Sequence, residues 1–461
     1  MISGARGRGH VSPARVLALQ ATSQVRQRDA YAKQVVERLV EDSGLPEHER
    51  AFATLLTYGV VSASGTLDEI IDANLRHPRQ LKDDVRDCLR ISTYEIVFLK
   101  KSPYAAVDQG VELVRMVAPK ASGLANAVLR KISESANGFP WGDPATDVSA
   151  LARKYGFPEW IVRRSLSDRG RPETLSMLEA SAQEKPPLFL AANPFLVGDE
   201  ELKAHLSATG VSARGYGVAG CFVTSDSTAL VRHPVLGESM ALVSDAAAQT
   251  VAVIATPHPG EPFLEVGSGR GTKTILLQGS CVRHAHRPAR IFALDVHGFK
   301  TDVLEQRLAR FHVPGVKAVT GDVCDLSSIE ELPEQFSGCL VDAPCSGLGT
   351  LRRHPEQRWR VRPEQVSQLA CNGLAMLQAV AGRIAPGGFV VYSTCTFTLE
   401  EDERVVERFL ESEQGAGFHV ESVAGLVPAD LNDAVTPEGY FRTMPRRGGP
   451  DGHFAARLVR S

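Results

Sequence analysis

The stretch Pro262-Phe263-Leu264-Glu265-Val266-Gly267-Ser268-Gly269-Arg270-Gly271-Thr272-Lys273 decides the fold of this chain. Its first five residues read as a short buried strand, and the glycines behind them as a tight turn into a helix. More short apolar runs follow at Ile291 to Leu294, Ala318 to Thr320, Cys339 to Val341 and Gly388 to Ser393, with helical stretches between them. Strands alternating with helices predict a mostly parallel sheet covered by helices on both faces. Each run ends in a polar cluster: the glycine turn itself, Asp295, Gly321-Asp322, Asp342-Ala343-Pro344-Cys345 and Thr394-Cys395-Thr396. In open parallel sheets that carboxyl edge is where ligands bind.

Outward from this region the pattern changes twice. From Pro13 to about Ser135 it is helical; Leu81, Val85, Leu89 and Tyr94 recur at helical spacing. Asn137 to Pro144 is dense in turn formers and marks a boundary. Between Val148 and Ser239 the signals mix, with a strand expected at Pro187 to Ala191 and helices at Ala150 to Asp168 and Glu200 to Ala208. The expected organisation is a flexible tail over 1–12, an all-α domain over 13–136, a small α+β module over 148–240 and an α/β Rossmann-like domain over 241–461.

Composition narrows the function. A chain of 461 residues holds two to four domains at about 150 residues each. Its formal net charge of -3 excludes a protein held to nucleic acid by bulk charge, so any such partner must be gripped by local patches. No apolar run approaches the roughly 18 residues that span a bilayer. Met1 to His10 is rich in Gly and Arg without an apolar core, so it is no signal peptide, and a cytoplasmic protein without a membrane partner is expected. The eight cysteines are sparse and include no Cys-x-x-Cys pair, which argues against a disulfide framework and against a structural metal. A buried free thiol is the ordinary reading of each.

The glycine turn and Asp295, an acid about twenty residues further on at the end of the next strand, together point to a nucleoside-containing cofactor. Nicotinamide dinucleotide and S-adenosylmethionine both fit. Glu265 favours the second, since an acid there can face a cationic amino acid group and repels a pyrophosphate. Asp322 can accept from an adenine amino group. Pro344 stiffens the turn that carries Cys345, and Cys395 lies at the mouth of the following strand. If those strands are neighbours, both thiols face one cleft. Two thiols beside a methyl donor fit cytosine C5 chemistry: a thiolate added to carbon 6 makes carbon 5 nucleophilic, and a second thiol serves the release. Downstream, Arg352, Arg353, His354, Arg358 and Arg360 form the densest basic run, with Trp359 inside it, a composition suited to RNA phosphates and bases.

At these residues the sequence resembles the RNA 5-cytosine methyltransferases of the Sun (Fmu) type. Val341-Asp342-Ala343-Pro344-Cys345-Ser346-Gly347 matches that family's proline–cysteine motif. Tyr392-Ser393-Thr394-Cys395-Thr396, followed by Glu400-Glu401-Asp402-Glu403, matches its threonine–cysteine motif. Gly349 to Pro355 and Asp451 to Leu458 fit as well. Leu124 to Lys131 and Tyr94 to Leu99 resemble the NusB-like, RNA-binding domain that opens the RsmB-type branch, which acts on small-subunit ribosomal RNA.

The resemblance implies that Cys395 is the nucleophile, that Cys345 assists release, and that Asp342 and Lys273 lie against the cytosine. It implies S-adenosylmethionine as cofactor, with Asp295 on the ribose and Asp322 on the adenine. Glu265, Gly267, Ser268, Gly269, Arg270, Gly271, Thr272, Lys273 and Asp342 complete the expected cofactor surroundings. One motif departs from the family, which there reads Asp-x-Cys-Ala-Ala-Pro-Gly-Gly-Lys: this chain keeps the lysine as Lys273 but replaces the Ala-Ala-Pro core with glycine-rich sequence. The expected partner is small-subunit ribosomal RNA, and the expected state a monomer. A non-catalytic assembly factor that retained the fold is the rival reading, and a dinucleotide-linked oxidoreductase a more distant one, since it leaves both thiols unexplained.

Overall fold

The helical periodicity of the first third folds as read, in a computed structural model that describes residues 11–182, 186–230 and 233–461. Of the tail expected over 1–12, residues 1–10 lie outside the described residues. Helices α1 (Pro13–Gln27), α2 (Ala32–Asp42), α3 (Glu47–Ser62), α4 (Ser64–Ala73), α5 (Asp83–Val97), α6 (Pro103–Val117) and α7 (Ser122–Ser135) are followed by α8 (Val148–Tyr155). Helix α5 shows the logic. Val85, Leu89 and Ile96 bury one face in a core with Leu56, Leu67, Leu113 and Leu129. Asp83 and Asp84 open the helix, where acids suit the positive end of its dipole. Its buried acids are paired, Glu95 with Arg15 at 2.6 Å and Asp87 with Arg26 and Arg90, each at 2.9 Å.

This helical unit runs on to Ser167 and also takes in Leu351–Val361 from far along the chain. Three consecutive residues of that segment each cap the carbonyl end of a different helix. The Arg358 guanidinium lies 3.3 Å from Gly156 O at the end of α8 and 3.9 Å over the Phe157 ring. Trp359 Nε1 donates to Ser62 O, the last residue of α3, at 2.8 Å. Arg360 donates to Val25 O in the last turn of α1 at 3.2 Å and to Ala30 O at 3.0 Å, and pairs with Asp29. Cations and donors at helix C-termini meet the carbonyls that have no partner inside the helix.

The second unit comprises Asp168–Thr350 and Arg362–Ser461. Strands β1 (Leu188–Ala192), β2 (Arg214–Gly215), β3 (Cys221–Thr224) and β4 (Ala241–Val243) form an antiparallel sheet in the order β2-β3-β1-β4, backed by the helix Asp199–Ala208. The larger sheet contains β5 (Pro262–Val266), β6 (Arg290–Asp295), β7 (Val316–Thr320), β8 (Phe336–Asp342), β9 (Ile384–Thr394), β10 (Phe418–Glu421), β11 (Phe441–Arg442) and β12 (Phe454–Arg460). Its order is β10-β12-β9-β8-β5-β6-β7, with β11 beside β12. Strands β9, β8, β5, β6 and β7 are parallel, and β12 returns antiparallel along β9.

Alternate residues of each strand serve two cores. Leu264, Val266, Val341 and Tyr392 pack with the helix Pro363–Ala381. Phe263, Leu340 and Val391 pack with the helices Ala246–Ile254, Thr272–Ala285 and Gly298–Arg310. Both faces are covered, which is why the strands read as continuous apolar runs. Among the described residues no helix is long and apolar enough to cross a membrane.

Candidate active site

The carboxyl edge of β5, β6, β7, β8 and β9 gathers the polar clusters read from the sequence. Behind β5 the chain turns sharply, and two positions admit only glycine. Gly267 and Gly271 have φ of 77° and 82°, in the left-handed region. A Cβ at Gly267 would sit 2.4 Å from Asp342 O, and one at Gly271 2.2 Å from Leu304 Cδ1. The turn is tied to β6, since Gly269 N donates to Asp295 Oδ2 at 3.0 Å while His297 N donates to Oδ1 at 3.0 Å. Lys300 Nζ stands 3.3 Å from the same carboxylate. Asp322, exposed behind β7, accepts from Cys324 N at 2.9 Å and caps a short helical turn.

Glu265 ends up fully buried, and neither carboxylate oxygen has a hydrogen-bond partner; Ser268 Oγ and Thr274 Oγ1 nearby in sequence share that condition. Burial pushes the Glu265 carboxyl up to about 8, and the Asp342 charge adds to this against the pull of the Lys273 charge. Unmatched acceptors held in a low-dielectric site favour an arriving cationic donor. A glycine cradle, a fixed acid on β6 and this orphaned acid fit a nucleoside bearing a positively charged amino acid group.

Strands β8 and β9 are adjacent, with Val341 opposite Tyr392 and Asp342 opposite Ser393. Their ends therefore bring the two thiols together: Cys345 Sγ lies 3.3 Å from Cys395 Sγ. Lys273, in the first turn of its helix, reaches Asp342 Oδ1 at 2.7 Å, and Ser393 Oγ donates to the same oxygen at 3.1 Å. The two sulfurs titrate in opposite directions. The hydrogen bond from Cys345 holds the Cys395 thiol below its ordinary range, against burial and with help from the Lys273 charge. That same bond, burial and the negative charges around it push Cys345 well up. Burial, with the Asp87 and Asp84 charges behind it, drives the Cys88 thiol up to about 12. Either sulfur can donate in this contact, and the Cys395 backbone N–H also donates to Cys345 Sγ at 3.3 Å. Asp342 and burial bear on Lys273 in opposite senses, and the ion pair wins, keeping it charged.

Two residues that the sequence left without a role stand behind the thiols. Glu401 contacts both thiol-bearing turns. Arg169 donates to Phe397 O at 2.6 Å and pairs with Glu403 at 2.5 Å and Asp402 at 3.3 Å, all buried. Asp402 in turn accepts from Thr394 Oγ1 at 2.5 Å, and Asp168 accepts from Leu399 N at 3.1 Å. No local pattern marks Arg169, which lies more than two hundred residues upstream of these partners.

The basic run requires a correction. Arg358 and Arg352 are 1% and 8% exposed, and Arg360 is occupied by carbonyls and Asp29, so these three are structural residues of the helical unit and not an open phosphate-binding face. Their apparent fitness for RNA came from charge density; Arg358 and Arg360 meet the carbonyl ends of helices instead. Arg353 and His354 remain half-exposed. Among the described residues no group of three or more His, Cys, Asp or Glu is placed to hold a metal ion.

A sheet of this order, with its glycine turn at the carboxyl edge, is that of a Rossmann-like methyltransferase domain. Residues 252–459 match the family described as 16S rRNA methyltransferase RsmB/F, and residues 12–134 match the NusB family. The chain is 30% identical to the "Probable ribosomal RNA small subunit methyltransferase B" of Synechocystis over 97% of its own length and 99% of that protein. It is 29% identical to the ribosomal RNA small subunit methyltransferase B of Thermus thermophilus, covering 94% of each. The solved structure of PH0851 shares the fold, with a TM-score of 0.77 at 21% identity over 98% of this chain and all of that one. The protein belongs to the 16S rRNA methyltransferase RsmB/F family and carries a NusB domain at its start.

Proposed function

We propose that this protein forms 5-methylcytosine in small-subunit ribosomal RNA, with S-adenosylmethionine as cofactor and Cys395 as nucleophile. The observation that carries the reading is the pair of thiols 3.3 Å apart, beside the Lys273–Asp342 ion pair. A non-catalytic assembly factor has no use for two thiols in contact beside a lysine–aspartate pair.

S-adenosylmethionine supplies an electrophilic methyl group. Glu265 would receive its ammonium, Gly267 to Thr272 would cradle it, Asp295 would hold the ribose and Asp322 the adenine. Asp342 and Lys273 orient the cytosine. The Cys395 thiolate bonds to carbon 6, and the electron density displaced into the ring makes carbon 5 nucleophilic. After carbon 5 is methylated, its proton leaves to solvent, the ring double bond re-forms and the carbon 6–sulfur bond breaks, returning its electron pair to Cys395. The Cys345 thiol, already aimed at that sulfur, stabilises it as the leaving group. Arg353 and His354 are the residues of the basic run left to meet RNA.

The test is direct. Purified protein is incubated with an unmethylated small-subunit ribosomal RNA transcript and methyl-labelled S-adenosylmethionine, and the RNA is digested to nucleosides. Label in 5-methylcytidine is expected. Label in another nucleoside, or none, contradicts the reading.

A further inference from the structure

One buried side chain joins the two thiol-bearing turns. Glu401 is 1% exposed. Its Oε1 accepts the backbone N–H of Ser346 at 2.6 Å, and its Oε2 accepts the Ser346 hydroxyl at 2.7 Å. The same Oε2 accepts from Thr398 Oγ1 at 2.7 Å and Thr396 Oγ1 at 3.2 Å. Ser346 follows Cys345 in the chain and Thr396 follows Cys395, and their hydroxyls meet at 2.9 Å. Glu401 is itself fixed: its N–H donates to Thr398 Oγ1 at 3.2 Å, and the Tyr392 hydroxyl donates to its carbonyl at 2.7 Å.

Thr398-x-x-Glu401 has the spacing of a helix capping box, yet the carboxylate reaches across to Ser346, which capping does not require. Burying a carboxylate is costly unless its lone pairs are met, and here the donors come from both turns. A thiol is a weak hydrogen-bond donor, so the bond between the sulfurs cannot hold two separate turns together by itself.

We propose that Glu401 is the positioning residue that sets Cys345 against Cys395, and through that contact controls release of the methylated base. The inference rests on the thiol roles proposed above. It assigns Glu401 no contact with RNA or cofactor. Three charged groups bear on the thiols. Lys273 favours the Cys395 thiolate, and Asp342 and Glu401 oppose it.

Glu401→Gln keeps the side chain's size but replaces one acceptor oxygen with an NH2, so either the Ser346 N–H or the three hydroxyls gathered on Oε2 lose their acceptor. In the full-length protein with the transcript and S-adenosylmethionine, the carbon 6–sulfur adduct should persist on denaturing gels. Turnover should fall about tenfold or more, while KM for S-adenosylmethionine stays within about twofold. Phenylarsine oxide needs two thiols at one fixed spacing; it should bind E401Q at least about tenfold more weakly, a loss of about 1.4 kcal/mol, although iodoacetamide still labels both cysteines. Parent-like turnover with parent-like arsenical binding overturns the proposal, as does slow turnover with unchanged arsenical binding. If E401Q lacks the parent's melting transition, Ser346→Ala carries the same test, because it removes one of the Glu401 donors and keeps the backbone N–H. The arsenical measurement does not depend on which thiol attacks, so an active Cys395→Ala protein would defeat the nucleophile assignment and leave the positioning claim to be decided separately.

Discussion

The sulfur of Cys345 lies 3.3 Å from that of Cys395, across the gap between two parallel strands whose residues Asp342 and Ser393 are paired. With Cys345 as the donor, the contact lowers the pKa of Cys395. Removing the donor should reverse this. In Cys345→Ala, alkylation of Cys395 by iodoacetamide should need a higher pH than in the parent, and Lys273→Met should move it the same way by taking away the positive charge. Mass spectrometry of the labelled peptide across a pH series reads both midpoints.

Glu265 gives a stability signature. Its carboxyl titrates near 8 in the folded protein against an ordinary 4.5. Between these values the folded chain holds a proton that the unfolded chain has released, so its contribution to stability falls as pH rises. Glu265→Gln should melt increasingly above the parent between about pH 5 and pH 8 without cofactor. It should also bind S-adenosylmethionine less tightly, because the amide cannot neutralise the ammonium. Scanning calorimetry and titration calorimetry check the two halves.

The Arg358-Trp359-Arg360 run is predicted to matter for folding rather than for RNA. Arg358→Ala leaves the carbonyl end of α8 without its cation and empties the space over Phe157. The melting temperature should drop while the salt dependence of RNA binding stays as in the parent; losing a phosphate contact would shallow the slope of log K against log salt by about 1. Trp359→Ala should likewise loosen the site where Gly65, without a side chain, admits the indole.

Much of this was legible because local rules carried it. Each strand from β5 to β9 was visible as an apolar run, and its chemistry stood at the next turn. The adjacency of β8 and β9, left conditional by the sequence, follows from the sheet order. The helical unit was legible from periodicity, but its reach to Ser167 and its capture of Leu351–Val361 were not. Pairings across such separations leave no periodic trace. Arg358 illustrates the failure: charge density is local, whereas burial is decided by where three helices happen to end. Arg169 failed to stand out for the same reason, and Glu401 was visible only as one acid of a motif, because its partner Ser346 lies on another turn.

Arg169 offers a check on that hidden support. Its side chain is fully buried against Asp402 and Glu403. Arg169→Met leaves Glu403 without the cation it pairs with at 2.5 Å, and the cost of breaking such a buried pair is about 3–5 kcal/mol. Urea unfolding should show a loss of this order, and alkylation of Cys395 in the folded variant should lose its low-pH preference as the loop beyond Phe397 relaxes.

The most direct measurement concerns the covalent step. Cys345→Ala protein is mixed with the unmethylated transcript and S-adenosylmethionine, and the denatured products are digested and weighed. A stable protein–RNA adduct is expected in which the Cys395 peptide carries a methylated cytidine, with no adduct or product from Cys395→Ala. Methyl transfer by Cys395→Ala at the parent's rate, or an adduct on any other residue, would contradict the nucleophile assignment.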